Sequence, residues 1–156
     1  MRQFAQQVAI PILRLYWRWV KPKTFGVKVI IQHPESKQIL LVQHSYGDTN
    51  IWHLPGGGYN PKRESAEDAA HREVFEELGI ELVELTYLTE YKTSAEGKRD
   101  TVSIFTAVAK SVALTLSSEI KSAGWISSKD ITKKQTYSIT AFAIQKYHKQ
   151  KRTMRI

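Results

Sequence analysis

The 156-residue chain contains no cysteine. That absence excludes a disulfide framework, thiolate-ligated zinc, iron–sulfur clusters and a cysteine nucleophile, and it fits a reducing, cytoplasmic setting. A membrane-spanning run is missing as well. The N-terminal apolar stretch from Val8 to Leu13 falls far short of the roughly 20 residues a span needs, and Arg14 and Arg18 close it off. A secretory leader fits poorly, because Gln6 and Gln7 dilute the apolar stretch and no small-residue cleavage site follows. The chain also lacks internal repeats, linkers, and the RNP, KH and zinc motifs of nucleic-acid readers. What it does have is 42% apolar residues and four Trp, enough for a single folded core.

Acidic residues are scarce at the two ends. The chain carries 23 Lys and Arg against 15 Asp and Glu, a formal charge of +8. Residues 1–28 hold six of those cations and no acid, and residues 129–156 hold eight against Asp130 alone. The ends therefore sum to +6 and +7, and the hundred residues between them to −5. The body is acidic, so the net figure bears on nucleic acid or anionic lipid only through the ends.

In residues 1–22, Phe4, Val8, Ile12, Leu15 and Trp19 recur at helical spacing, with Pro11 as an interruption. Two readings stand for this basic amphipathic extension. It is a helix packed on the domain or on a second copy in a homodimer, or an interfacial helix in peripheral contact with a membrane. In the second case Tyr16, Trp17 and Trp19 are the anchors.

Residues 25–32 (FGVKVIIQ) and 38–44 (QILLVQH) read as an antiparallel pair of strands around the turn HPESK. Trp52-His53-Leu54-Pro55 then runs into Gly56-Gly57-Gly58. Ser65, with Asp68 three residues on, caps a helix over residues 66–78 that stops at Gly79. Strands are expected at residues 81–91, 101–109, 112–116 and 125–127. A helical turn over 128–131 and a helix over 138–149, burying Ile139, Phe142, Ala143 and Tyr147, close the domain. Helices before, within and after a set of strands indicate a mixed-sheet α/β or α+β domain.

The central helix is the informative part. Glu73, Glu76 and Glu77 stand at i, i+3 and i+4, on one 100° sector of its surface. Like charges at that spacing destabilise a helix by a few tenths of a kcal/mol, and acids near its C-terminus oppose the macrodipole. A divalent cation is the natural compensation. Carboxylates without Cys or His make an all-oxygen site suited to Mg²⁺ or Mn²⁺ rather than zinc. A solvated acidic face paired with Arg72 is the alternative.

The stretch from Gly58 to Ile80, GYNPKRESAEDAAHREVFEELGI, resembles the signature of the Nudix hydrolases. Every specified position is met: Gly58, Glu64, Arg72, Glu73, Val74, Glu76, Glu77, Gly79 and Ile80. The resemblance implies a MutT-like α/β/α sandwich with a mixed central sheet over residues 23–152, followed by a basic tail at 153–156. It also implies Mg²⁺-dependent hydrolysis of a nucleoside diphosphate linked to another moiety, by metal-activated water attacking phosphorus. By the same resemblance Glu73, Glu76 and Glu77 are metal ligands, the Gly57 carbonyl adds a further one, and Arg72 with Glu64 aims the carboxylates. Glu119, six residues before Trp125, stands where the family often places a further acid, as metal ligand or general base. Gly58, Tyr46, Trp52 and Arg99 are candidate substrate contacts. For Trp52 and Tyr46, as for His44 and His53, an ordinary structural role competes; for Arg99, with Lys98 and Lys92, a solvated turn does.

On substrate, ADP-ribose-type members commonly carry a Pro about fifteen or sixteen residues beyond the motif, where Ala95 and Glu96 stand here. Dinucleoside-polyphosphate members carry a Tyr slightly further on, where Gly97 and Lys98 stand. A small nucleotide, a nucleoside di- or triphosphate, is the leading expectation, with nucleotide-sugars next. The rival classes are a catalytically silent nucleotide sensor and a protein directed to RNA or a membrane surface through its basic ends.

Overall fold

A computed structural model describes residues 22–94, 98–131 and 134–154. The expected N-terminal helix of residues 1–22 lies outside the described residues except for Pro22. The described elements follow the order β1 (Lys23–Gln32), β2 (Gln38–His44), β3 (Gly58–Tyr59), α1 (Ala66–Leu78), β4 (Leu82–Thr93), β5 (Arg99–Ala109), β6 (Ile120–Ser127) and α2 (Ser138–Thr153).

The strands form one mixed sheet in the order β4-β5-β1-β2-β6, with β3 on β1. β1 runs parallel to β5 along its whole length, while β4–β5 and β2–β6 are antiparallel. Aliphatic residues fill both faces. Val27, Val29 and Ile31 of β1 join Leu40, Val42, Ala69, Ala70, Val74 and Leu78 beneath α1. Ile30, out of phase by one residue, joins Ile39, Leu41, Leu54, Ile104, Ala143, Ile144 and Tyr147 beneath α2. This is the period-two alternation of a sheet covered on both sides, and each fully buried aliphatic contributes about 1.5–3 kcal/mol. The expected α/β/α sandwich is the observed fold.

One feature of the sheet positions the glycine run. β1 and β2 pair only at Gln32 and Ile39 and then splay apart. The chain from His53 to Gly57 fills the wedge. His53 and Val42 exchange backbone bonds of 2.8 and 3.0 Å on one side, and Val27 and Val29 donate to Gly57 and Pro55 at 2.9 and 3.0 Å on the other. The glycine run is thereby inserted into the middle of the sheet.

The capped helix lies where expected, with Ser65 accepting from the Asp68 N–H and Gly79 in the left-handed region at φ 67°. Several expectations change. Residues 112–116 are not a strand, because Thr115 donates to Leu78 and Ser117 to Glu77, ending the open carbonyls of α1 instead of building a ladder. The last strand begins at Ile120, five residues earlier than expected, and α2 runs on to Thr153. In α2, Ala143 and Tyr147 are buried as expected, together with Thr140 and Ile144, whereas Ile139 and Phe142 are only partly covered. Among the described residues no helix is long and apolar enough to cross a membrane.

Candidate active site

The wedge, the last turns of α1 and the loop before β6 meet around a cavity of about 480 Å³. Gly56 sits at φ 120°, and a Cβ there would collide with the Val27 carbonyl, so only glycine fits. At Gly57 a Cβ would strike the Glu73 carboxylate, which occupies the space a side chain would need. Gly56 uses both of its backbone groups. Its N–H donates to Glu77 Oε2 at 2.9 Å, and its carbonyl accepts from Lys28 Nζ at 2.5 Å.

Glu77 is only 6% exposed. Burial pushes its carboxyl above the usual range, against the opposing pull of Lys28 and the Gly56 N–H. Burial also lowers the Lys28 ammonium, opposed by Glu77 and Glu73.

The loop carrying Glu119 is held from two directions. Thr115 and Ser117 bond to α1 carbonyls. Ser45, just after β2, gives its N–H to the Glu119 carbonyl and its hydroxyl to Ser118, both at 2.8 Å.

Arg72 organises the outer side of the helix. It forks onto Glu64 at 2.7 and 3.0 Å and reaches Glu73 at 2.8 Å and Glu76 at 3.1 Å. The guanidinium holds Glu64 below the usual carboxylate range, and the carboxylates stabilise its own charge in return. Glu76, the remaining member of the Glu73, Glu76 and Glu77 set, has a side chain 60% exposed.

Of the residues expected from sequence, Glu73, Glu77, Glu119, Gly57, Gly58, Tyr46 and His44 line this one cavity. Glu64, Arg72 and Glu76 do not line it but connect to it through Glu73. Trp52 is not brought there. It packs beside the cluster under α2, with its ring against Gly124 and the Lys134 ammonium 5.6 Å from its centre. Arg99 lies in an adjoining depression with Lys23, Glu90 and Lys92, while Lys98 reaches the cavity itself.

A run of rings leaves the cavity. Tyr46 stacks on His44 at 5.0 Å, His44 meets His53 at 4.6 Å, and His53 meets Tyr137 at 4.9 Å. Burial, reinforced by His44 and Lys28, depresses His53 to about 4. Burial lowers His44 as well and raises the Tyr46 phenol.

Two charged lining residues escaped the sequence reading. Asp100 gave no signal, being one acid in a charged turn. Lys28 did give one: it is a lone cation between Val27 and Val29, both fully buried. In the sequence it falls both within the expected first strand and among the cations of the basic N-terminal end.

The acidic residues that line the cavity, Glu73, Glu77, Asp100 and Glu119, offer carboxylate oxygens, donors that suit a hard divalent ion. Among the described residues no three acidic or imidazole groups already converge on one point. Arg72 engages Glu73 and Glu76, Gly56 engages Glu77, and the Gly57 carbonyl already accepts from Val27. In chemical type the set fits a metal such as Mg²⁺.

A family model described as NUDIX domain matches residues 22–145. A putative 8-oxo-dGTP diphosphatase of Bacillus subtilis (strain 168) is 52% identical over 56 residues, 36% of this chain and 35% of that protein. The nucleoside triphosphatase NudI of Klebsiella pneumoniae (strain 342) is 33% identical over 92 residues, 51% of this chain and 64% of that one. The matches thus span less than two thirds of either relative. Among solved structures, a MutT NUDIX hydrolase from Burkholderia pseudomallei superposes with a TM-score of 0.68 at 26% identity, covering 80% of this chain and 97% of the other.

Proposed function

Because the chain belongs to the NUDIX family, we propose that it is a divalent-metal-dependent hydrolase splitting a phosphoric anhydride in a small nucleotide, a nucleoside triphosphate first among them. The observation that carries this reading is the meeting of Glu73, Glu77 and Glu119 with Gly56, Gly57 and Gly58 on one cavity. Glu73, Glu77 and Glu119 would hold Mg²⁺ or Mn²⁺, with Glu76 and the second lone pair of the Gly57 carbonyl as further donors. When bound, such an ion supplies charge neutralisation for phosphate oxygens and a Lewis acid for water.

The protein's own contribution is placement. Arg72 and Glu64 hold Glu73 against the glycine run, and the doubly tied loop presents Glu119, the candidate general base, to the same cavity. Bare glycine backbone lets phosphate approach at Gly58, and the exposed ring of Tyr46 offers a face on which a nucleobase can stack. The names of the two curated relatives, both directed at nucleoside triphosphates, favour that class over nucleotide-sugars.

The test is turnover of nucleoside di- and triphosphates, dinucleotides and nucleotide-sugars with Mg²⁺ and Mn²⁺ in ¹⁸O-labelled water, which reports the phosphorus attacked. Metal-dependent release of phosphate or pyrophosphate, reduced at least about a hundredfold in Glu77→Gln, is the expected result. A folded protein that turns over none of the panel overturns it in favour of a nucleotide sensor.

A further inference from the structure

The cavity contains a positive charge that comes from the chain itself. Lys28 stands on β1 between two fully buried valines, and its Nζ enters the cavity wall that Glu73, Glu77, Glu119 and the glycine run complete. The Gly56 carbonyl takes one of its three N–H groups at 2.5 Å. That bond fixes the ammonium at the edge of the glycine run, where the backbone is bare. A polyphosphate entering this cavity meets the carboxylates of Glu73, Glu77, Glu119 and Asp100. Groups that receive it without a metal must therefore be cations on the wall, and Lys28 is anchored to a strand and to the loop at once. Charge held in place before the ligand arrives needs no reorganisation.

We propose that Lys28 is a substrate ligand of this site, using its remaining N–H groups to hold a phosphate oxygen of the nucleotide. The inference rests on the reading of the cavity as a nucleotide site and adds a specificity element to it: preference for ligands carrying phosphate beyond the nucleoside. A merely structural role, tying Gly56 to β1, is the competing account, and charge separates the two. Lys28→Gln keeps an N–H donor for the Gly56 carbonyl but removes the charge, whereas Lys28→Arg keeps the charge.

The experiment measures equilibrium binding of a dGTP analogue with methylene groups in both phosphate bridges, and of deoxyguanosine, to wild type, Lys28→Gln and Lys28→Arg. Mn²⁺ affinity by water-proton relaxation and thermal midpoints are measured in parallel, with KM and kcat for dGTP. Lys28→Gln should weaken the analogue roughly tenfold to a hundredfold, the loss of one charged hydrogen bond. Deoxyguanosine binding should stay within about twofold, Mn²⁺ affinity should not fall, and Lys28→Arg should retain most of the affinity. Equal loss of analogue and nucleoside, a loss confined to Mn²⁺ affinity, or unchanged analogue binding in Lys28→Gln overturns the proposal. If Lys28→Gln does not fold, Lys28→Arg decides, since a charge-bearing variant that folds yet loses the analogue alone contradicts it. Wild-type turnover with an unaffected Lys28→Gln removes Lys28 only. A wild type that neither binds nor hydrolyses nucleotides removes the enzyme reading and this inference together.

Discussion

Arg72 grips Glu64 with two parallel hydrogen bonds, at 2.7 and 3.0 Å, and spends its remaining reach on Glu73 and Glu76. A fork of this kind needs the planar guanidinium, and a lysine ammonium cannot reproduce it. The pair is partly exposed, with side chains 36% and 23% accessible, so solvent screens it and its worth to stability is small. Its worth to geometry is larger. Arg72→Lys should lower kcat about 100-fold through misplacement of Glu73 while moving the thermal midpoint by only a few degrees. Steady-state kinetics beside calorimetry checks both halves.

Gly57→Ala separates space from backbone conformation. Gly57 is not among the glycines at positive φ, so alanine is acceptable to its backbone. Its methyl group, however, claims the volume of the Glu73 carboxylate. The expected outcome is a folded protein with activity down about 100-fold and metal affinity weakened. Full activity would show that Glu73 can stand elsewhere.

Glu77→Gln should move stability and activity in opposite directions. Burial raises the Glu77 carboxyl even with Lys28 and the Gly56 N–H in place, so the native state disfavours its charge at neutral pH. Glutamine has the shape of the protonated acid and still accepts from Gly56. In EDTA the variant should melt above wild type, and added Mg²⁺ should raise the midpoint of wild type alone.

His53 predicts a pH slope of known sign. The unfolded imidazole takes a proton near 6.5, whereas the native one does so only near 4. Between those values the unfolded chain binds the extra proton, so native stability falls as pH drops through the window. The ring is partly open to solvent, and after screening the loss is roughly 1–2 kcal/mol. Urea unfolding at pH 4.5 and 7 should show His53→Gln losing less stability than wild type, by that amount.

The helix, both its caps and the carboxylate spacing were legible because their signals are local. Ser65 Oγ accepts the Asp68 N–H and gives its own hydroxyl to the Asp68 carboxylate, and Gly79 supplies the left-handed turn within the same fifteen residues. Residues 112–116 misled because their β-rich composition does not reveal that the Thr115 N–H goes to the end of α1 instead of a ladder. Lys28 was visible as a lone cation in an apolar strand, but its destination was not. Only the splaying of β1 from β2, a long-range property of the sheet, turns that position from strand surface into cavity wall. Trp52 shows the converse: adjacency to the glycine run in sequence left it beneath α2 instead.

Glu77 is tied at both its backbone and its side chain. Its main-chain carbonyl receives Ser117, and its carboxylate receives Gly56. Two amide protons, distant from each other in sequence, therefore share one acceptor residue at the centre of the site. Their hydrogen-exchange rates and chemical shifts form a paired gauge of that residue: a disturbance confined to the carboxylate registers at Gly56 alone, while fraying of the helix end registers at Ser117 as well. The glycine amide, in a sparsely populated region of a nitrogen–proton spectrum, is a built-in probe of ligand arrival that needs no label beyond the isotope.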